Sequence, residues 1–191
     1  MKKSVIWILF SVMCLLIAGC GTVGEKQEES IETADAETIE NAVEDDTEHN
    51  FEGLSFEVPE GFVQDEEMSG LFVSEAYAED FACIYYQEAD VDERYSLLTE
   101  ESIEELMQEA YAKSYGMETV IDVVDFHRFN LDGYEAYYTE CEYTINEVPI
   151  QTVEYAVLTE TRVFSVTYMQ KQNAGWKAAF AQSAKNLEIR Q

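Results

Sequence analysis

The 191-residue chain has little of what usually builds a catalytic centre: two histidines, two prolines and four cysteines, with eleven lysines and arginines against 40 acidic residues. It has no glycine-rich phosphate loop, no His-Glu-x-x-His, no Gly-x-Ser-x-Gly and no Cys-x-x-Cys, which excludes the usual nucleotide, zinc-hydrolase, serine-hydrolase and thiol-redox sites. The shortage of basic residues, at a formal charge of −29, makes nucleic acid and anionic lipid headgroups poor partners. Long apolar runs are scarce too. The longest, Ser4 to Gly19, has 16 residues, short of the roughly 20 that span a bilayer core as a helix.

That run follows Met1-Lys2-Lys3, and a basic tip before an uncharged apolar segment reads as a secretory signal peptide. A retained transmembrane anchor is the alternative. The run ends in Ile17-Ala18-Gly19-Cys20, which resembles the lipobox of bacterial lipoproteins: an apolar residue and two small ones ahead of the cysteine that receives diacylglycerol. The resemblance implies loss of residues 1–19, lipidation of Cys20 and residence on the extracytoplasmic face of the cell membrane. Two or more acyl chains, at about 0.8 kcal/mol per buried methylene, hold a protein durably where one chain does not. Removal of Lys2 and Lys3 leaves nine basic residues against 40 acidic ones.

Cys14 leaves with the signal, so Cys83 and Cys141 are the thiols of the folded part. Each sits in a strand-like run on a face shared with aromatic residues, Phe81 and Tyr85 in one case, Tyr137 and Tyr143 in the other. An oxidising compartment permits a disulfide between them, and buried free thiols are the other reading.

Between Gly21 and Asn50 there are 11 acidic residues, one lysine and no Phe, Tyr or Trp, the composition of a disordered tether. Residues 20–50 are thus expected to space the domain from the membrane, with an end-to-end distance of roughly 30 Å before charge repulsion extends it. All twelve tyrosines lie beyond it, so the globular domain is placed at 51–191. That length supports a core without metal or disulfide.

Within the domain, Leu54 to Val58 alternates as a strand, Pro59-Glu60-Gly61 stops it, and Phe62-Val63 and Gly70 to Ser74 resume extended structure. Ala76 to Asp80 reads as a turn, Phe81 to Gln87 as a strand and Glu88 to Glu93 as an acidic loop. Thr99 caps a helix with an apolar stripe of Ile103, Leu106, Met107, Ala110 and Tyr111, ending at Gly116. A meander follows: Thr119 to Phe129, Tyr134 to Ile145, Val148 to Leu158 and Arg162 to Met169, with Asp132-Gly133 the strongest hairpin signal and Pro149 at a strand start or open edge. Asn173 is expected to cap a last helix with Trp176, Phe180, Ser183 and Leu187 on one face. Strands apolar on both faces, such as Arg162 to Met169, call for helices on both sides of the sheet.

This order, three strands, a helix, four strands and a closing helix, resembles the Mog/PsbP-like fold. The carriers are Leu54-Ser-Phe-Glu-Val-Pro-Glu-Gly-Phe62, the Gly133 hairpin and the aromatic helix from Trp176 to Leu187, which are similar to small bacterial lipoproteins of the DcrB-like and PsbP-related groups. The resemblance implies an α+β domain: an antiparallel sheet of six to seven strands flanked by helices. It implies no activity, because a fold alone carries none.

Chemistry is sparse. A Cys-His pair would need His127 beside Cys83 or Cys141, and strand cysteines facing a core lack the setting that makes thiolate. Asp45-Asp46, Asp90 to Glu93 and Asp122 to Asp125 gather oxygen ligands without a calcium-loop spacing, and no metal or cofactor is expected. The doublets Tyr85-Tyr86 and Tyr137-Tyr138 place one ring on each side of a sheet and offer a recognition surface. The leading expectation is a non-catalytic binding or accessory module of the cell envelope, meeting another envelope protein or a small ligand at the sheet or a helix-sheet groove. The competitors are a hydrolase with an Asp, Glu and Tyr site invisible to spacing, and a structural spacer.

Overall fold

In the computed structural model, residues 48–50, 53–91, 95, 97–115 and 120–190 are described, side chains at 48–50, 110, 111 and 113–115 excepted. The signal peptide, Cys20, most of the tether and Gly116 lie outside them. Among the described residues ten strands and three helices follow in order: β1 (Glu48–Asn50), β2 (Gly53–Glu57), β3 (Phe62–Gln64), β4 (Leu71–Ser74), α1 (Tyr77–Asp80), β5 (Cys83–Asp90), α2 (Glu100–Tyr115), β6 (Ile121–Leu131), β7 (Tyr134–Ile145), β8 (Val148–Leu158), β9 (Arg162–Lys171), α3 (Lys177–Ala184) and β10 (Glu188–Arg190). No described helix is long and apolar enough to cross a membrane.

The strands form an antiparallel seven-stranded sheet, β3-β4-β5-β9-β8-β7-β6, and a three-stranded one, β1-β2-β10. The α+β fold with a mostly antiparallel sheet is as expected from the sequence, with four strands rather than three in sequence between Gly53 and α2. The large sheet carries packed side chains on both faces. Ile103 and Met107 of α2 pack with Ile121, Cys141, Tyr143, Ile150 and Met169 on one face. On the other, Leu54 and Phe56 of β2 and Phe180 of α3 pack with Ile84, Val166 and Tyr168. The second cover is therefore a helix and a small sheet, not helices alone.

Local chemistry explains the element ends. Thr99 Oγ1 accepts the Ser102 amide at 3.2 Å while Ser102 Oγ accepts the Thr99 amide at 2.8 Å, a reciprocal cap that starts α2. The β6–β7 hairpin turns through Asp132 and Gly133, both at positive φ, with Asn130 Oδ1 accepting the Gly133 amide at 2.9 Å. Pro149 stands second in β8, before the pairing with β9 begins at Ile150, so its missing donor costs the ladder nothing. Gly53, at φ +97°, admits no side chain, because a Cβ there would lie 2.3 Å from the Phe164 ring.

Several boundaries differ from the sequence reading. Glu48–Asn50 pairs with β2, so the folded part begins inside the stretch read as tether. Asn173 does not cap α3: it sits at φ 67°, and Gln170 Oε1 accepts the Trp176 amide at 2.9 Å instead. The helix stops at Ala184, and Leu187, though buried, lies past its end. Glu88 and Asp90 belong to β5 and hold Arg162 across the strand pair at 2.5 and 2.8 Å, which is why the acidic loop starts later than composition suggests.

The β7–β8 turn holds an avoidable strain. Asn146 and Glu147 are both left-handed, at φ 47° and 68°, and glutamate gains nothing there that glycine would not provide. Glu147→Gly is expected to raise stability by up to about 1 kcal/mol, the relief being partly offset by glycine's extra entropy. Urea unfolding at fixed pH checks it.

Candidate binding face

The cover over the second face is incomplete. Toward β5 and β9 the side chains are sealed, with Ile84, Val166 and Tyr168 at 0, 0 and 1% exposure. Toward the β6 edge, His127 is exposed and Tyr138, Tyr155 and Glu140 are half-buried. Register alone aligns His127 with Tyr138 and Tyr138 with Tyr155 across β6, β7 and β8. The His127 and Tyr138 rings stack at 4.7 Å, and Tyr138 meets Tyr155 edge-on at 5.3 Å. From there the row runs inward through Tyr168, 6.2 Å from Tyr155, to Phe180, 5.2 Å further on. One end of this aromatic row is in water and the other in the core.

Beside the row stands Glu140, which accepts hydrogen bonds from Tyr138 Oη at 2.9 Å, Gln151 Nε2 at 2.9 Å and Lys177 Nζ at 3.2 Å. Lys177 reaches it from the first turn of α3, so helix and sheet are clasped over a fixed carboxylate. Burial, then the hydrogen bond to Glu140, raises the Tyr138 phenol above its ordinary range, so it remains a neutral donor. His127 Nδ1 lies 3.3 Å from Asp125 at the rim. The result is a broad aromatic surface with fixed polar groups along one side, suited to binding.

The remaining predicted residues are scattered. Cys83 pairs with Met169, Met169 with Thr152 and Thr152 with Cys141, so two strands separate the cysteines, roughly 14 Å at the usual strand spacing. A bridge needs Cα atoms about 4–7 Å apart. The disulfide expectation is thus corrected: both thiols are free and buried. Burial, then the neighbouring Glu154, Glu140 and Glu104 charges, pushes Cys141 up to about 12, and burial beside Asp80 raises Cys83 as well. Cys141 faces α2 and contacts Met107 Sδ at 3.6 Å, whereas His127 faces the other side of the sheet, so register separates the two halves of a Cys-His pair. Among the described residues no three His, Cys, Asp or Glu side chains converge as metal ligands.

Sequence reasoning missed Glu154. It lies on the α2-facing side of the interior strand β8, where burial pushes its carboxyl up to about 7 and the nearby Ser165 hydroxyl pulls it partly back. In the sequence it is one more glutamate in an alternating strand. Only the register, which sets it beside Thr139 and Thr167, marks it out.

No family model matches the chain, and no curated protein matches it. Solved structures do. The solution structure of cyanobacterial PsbP (CyanoP) from Synechocystis sp. PCC 6803 aligns with a TM-score of 0.58 at 10% identity, covering 78% of this chain and 96% of that one. LpqN of Mycobacterium tuberculosis, described as involved in cell envelope biogenesis, aligns at 13% identity and a TM-score of 0.44, covering 75% of this chain and 88% of that one. The order of strands around α2, the closing aromatic helix and the CyanoP alignment together identify the described domain as having the PsbP-like fold.

Proposed function

We propose that this protein is a lipid-anchored accessory module of the bacterial cell envelope, attached through Cys20 and binding a partner protein or small ligand at the aromatic face. The observation that carries the reading is the row His127, Tyr138 and Tyr155, left open beside a Glu140 already locked by Lys177. Rigid aromatic groups with few rotatable bonds bind at low entropic cost. Nothing in the row supplies a nucleophile with a base. The lipobox resemblance supports attachment, and the fold supports a presenting scaffold and no chemistry of its own.

A photo-crosslinking side chain at position 138, compared in intact cells with one at Val63 on the far edge strand, tests the face. One dominant adduct from position 138, absent from 63 and lost on Tyr155→Ala, is expected. Equal labelling from both positions would remove the assignment.

A further inference from the structure

We infer that the α2-facing side of the sheet holds a monovalent-cation site, built from the Glu154 carboxylate and the hydroxyls of Thr167 and Ser165. Thr139, Glu154 and Thr167 are direct cross-strand neighbours on β7, β8 and β9, and Ser165 is two residues along β9 on the same face. Thr167 and Ser165 stand about 5 to 8 Å from Glu154, near enough to share one ion with it, whereas Thr139, on the other flank, is two strands from Thr167, about 10 Å.

The hydroxyls look misplaced without an additional partner. Thr167 and Ser165 are 5 and 1% exposed, and Thr167 Oγ1 makes no hydrogen bond. Ser165 Oγ makes none of full geometry either, although it is close enough to Glu154 to favour the charged carboxylate. Buried hydroxyls are nearly always satisfied, so a pair flanking one partly buried carboxylate marks a place where something else binds. Ala156, the next residue of β8 on this face, sets only a methyl group between Tyr137 and Ser165. Access is present, since Glu154 and Ala156 keep partial solvent exposure on an interior strand.

Charge and donor type fix the class. One carboxylate with neutral oxygens carries a single negative charge, which a monovalent ion neutralises, and all-oxygen donors suit hard ions over soft ones. The surrounding field adds to the attraction, because Glu104 of α2 and Glu154 both act on the neighbouring Cys141 thiol. A divalent ion generally wants more than one carboxylate in direct contact, and this site offers one. The site is on the opposite face from the aromatic row, so the two assignments stand or fall separately.

The test follows thermal unfolding of the full mature chain at about pH 8, with sodium chloride replacing N-methyl-D-glucamine chloride at equal ionic strength so that general screening of the acidic surface is constant. A saturable rise in Tm of several degrees in sodium is expected. It should vanish in Thr167→Val, which keeps the side-chain shape, and in Glu154→Gln. Line broadening of the 23Na resonance by the wild-type chain and not by Thr167→Val is the second expected readout. Equal Tm values in the two salts, or an undiminished sodium response in Thr167→Val, would overturn the site; if Glu154→Gln fails to fold, the threonine variant decides alone.

Discussion

Glu154→Gln is expected to flatten the dependence of stability on pH and, in sodium-free buffer at about pH 8, to make the domain more stable than wild type by about 3 kcal/mol. Burial lifts the folded-state carboxyl from its ordinary 4.5 to about 7. Below the lower value both folded and unfolded chains hold the proton and the group is neutral in its effect. Between the two values the unfolded chain releases the proton first, so folding grows less favourable as pH rises, and above the folded value the full loss is present. Glutamine is uncharged throughout, and its variant should match wild type near pH 4.5 and diverge above it. Urea unfolding across this range measures the gap. A constant difference between the two chains at every pH would show that Glu154 is not held in a protonated state by the fold.

Asp80→Ala should cost about 3 kcal/mol, because the carboxylate joins four parts of the chain at once. Ser74 Oγ donates to both of its oxygens at 2.7 and 2.9 Å, the Ala82 amide donates at 2.9 Å and the Trp176 indole Nε1 at 2.8 Å. β4, the end of α1, the entry to β5 and the turn before α3 therefore share one acceptor. The Ala82 bond also fixes the bend at Phe81, whose φ of 53° is left-handed. Asp80→Asn keeps one oxygen and should lose less. In a chain beginning at Cys20 Trp176 is the sole tryptophan, and its fluorescence reports directly on this contact. A midpoint unchanged in urea for Asp80→Ala would remove the clasp from the account of stability.

Much of this architecture was legible because its determinants are local. Thr99, Asp132-Gly133 and Pro149 each act within a few residues, and each sits where its chemistry predicts. What stayed hidden depends on pairing between distant segments. β1 and β10 are three residues long and exist only because β2 lies between them, so composition assigned Glu48–Asn50 to the tether. Alternation gave Cys83 and Cys141 their neighbours within each strand, yet only the strand order shows β9 and β8 between them. The open row was half visible: alternation divides Tyr137 from Tyr138, but only the packing shows Tyr137 buried against Tyr95 and Tyr138 half-buried on the opposite face. Glu154 was invisible for the same reason, its hydroxyl neighbours coming from two other strands.

The central claim is that an acidic PsbP-like domain works outside the cytoplasm on a lipid tether, and mass spectrometry of the protein isolated from its own membranes tests it most directly. The account predicts a chain beginning at Cys20 with diacylglycerol on its sulfur. A chain that retains Met1 and carries no fatty acid would contradict it.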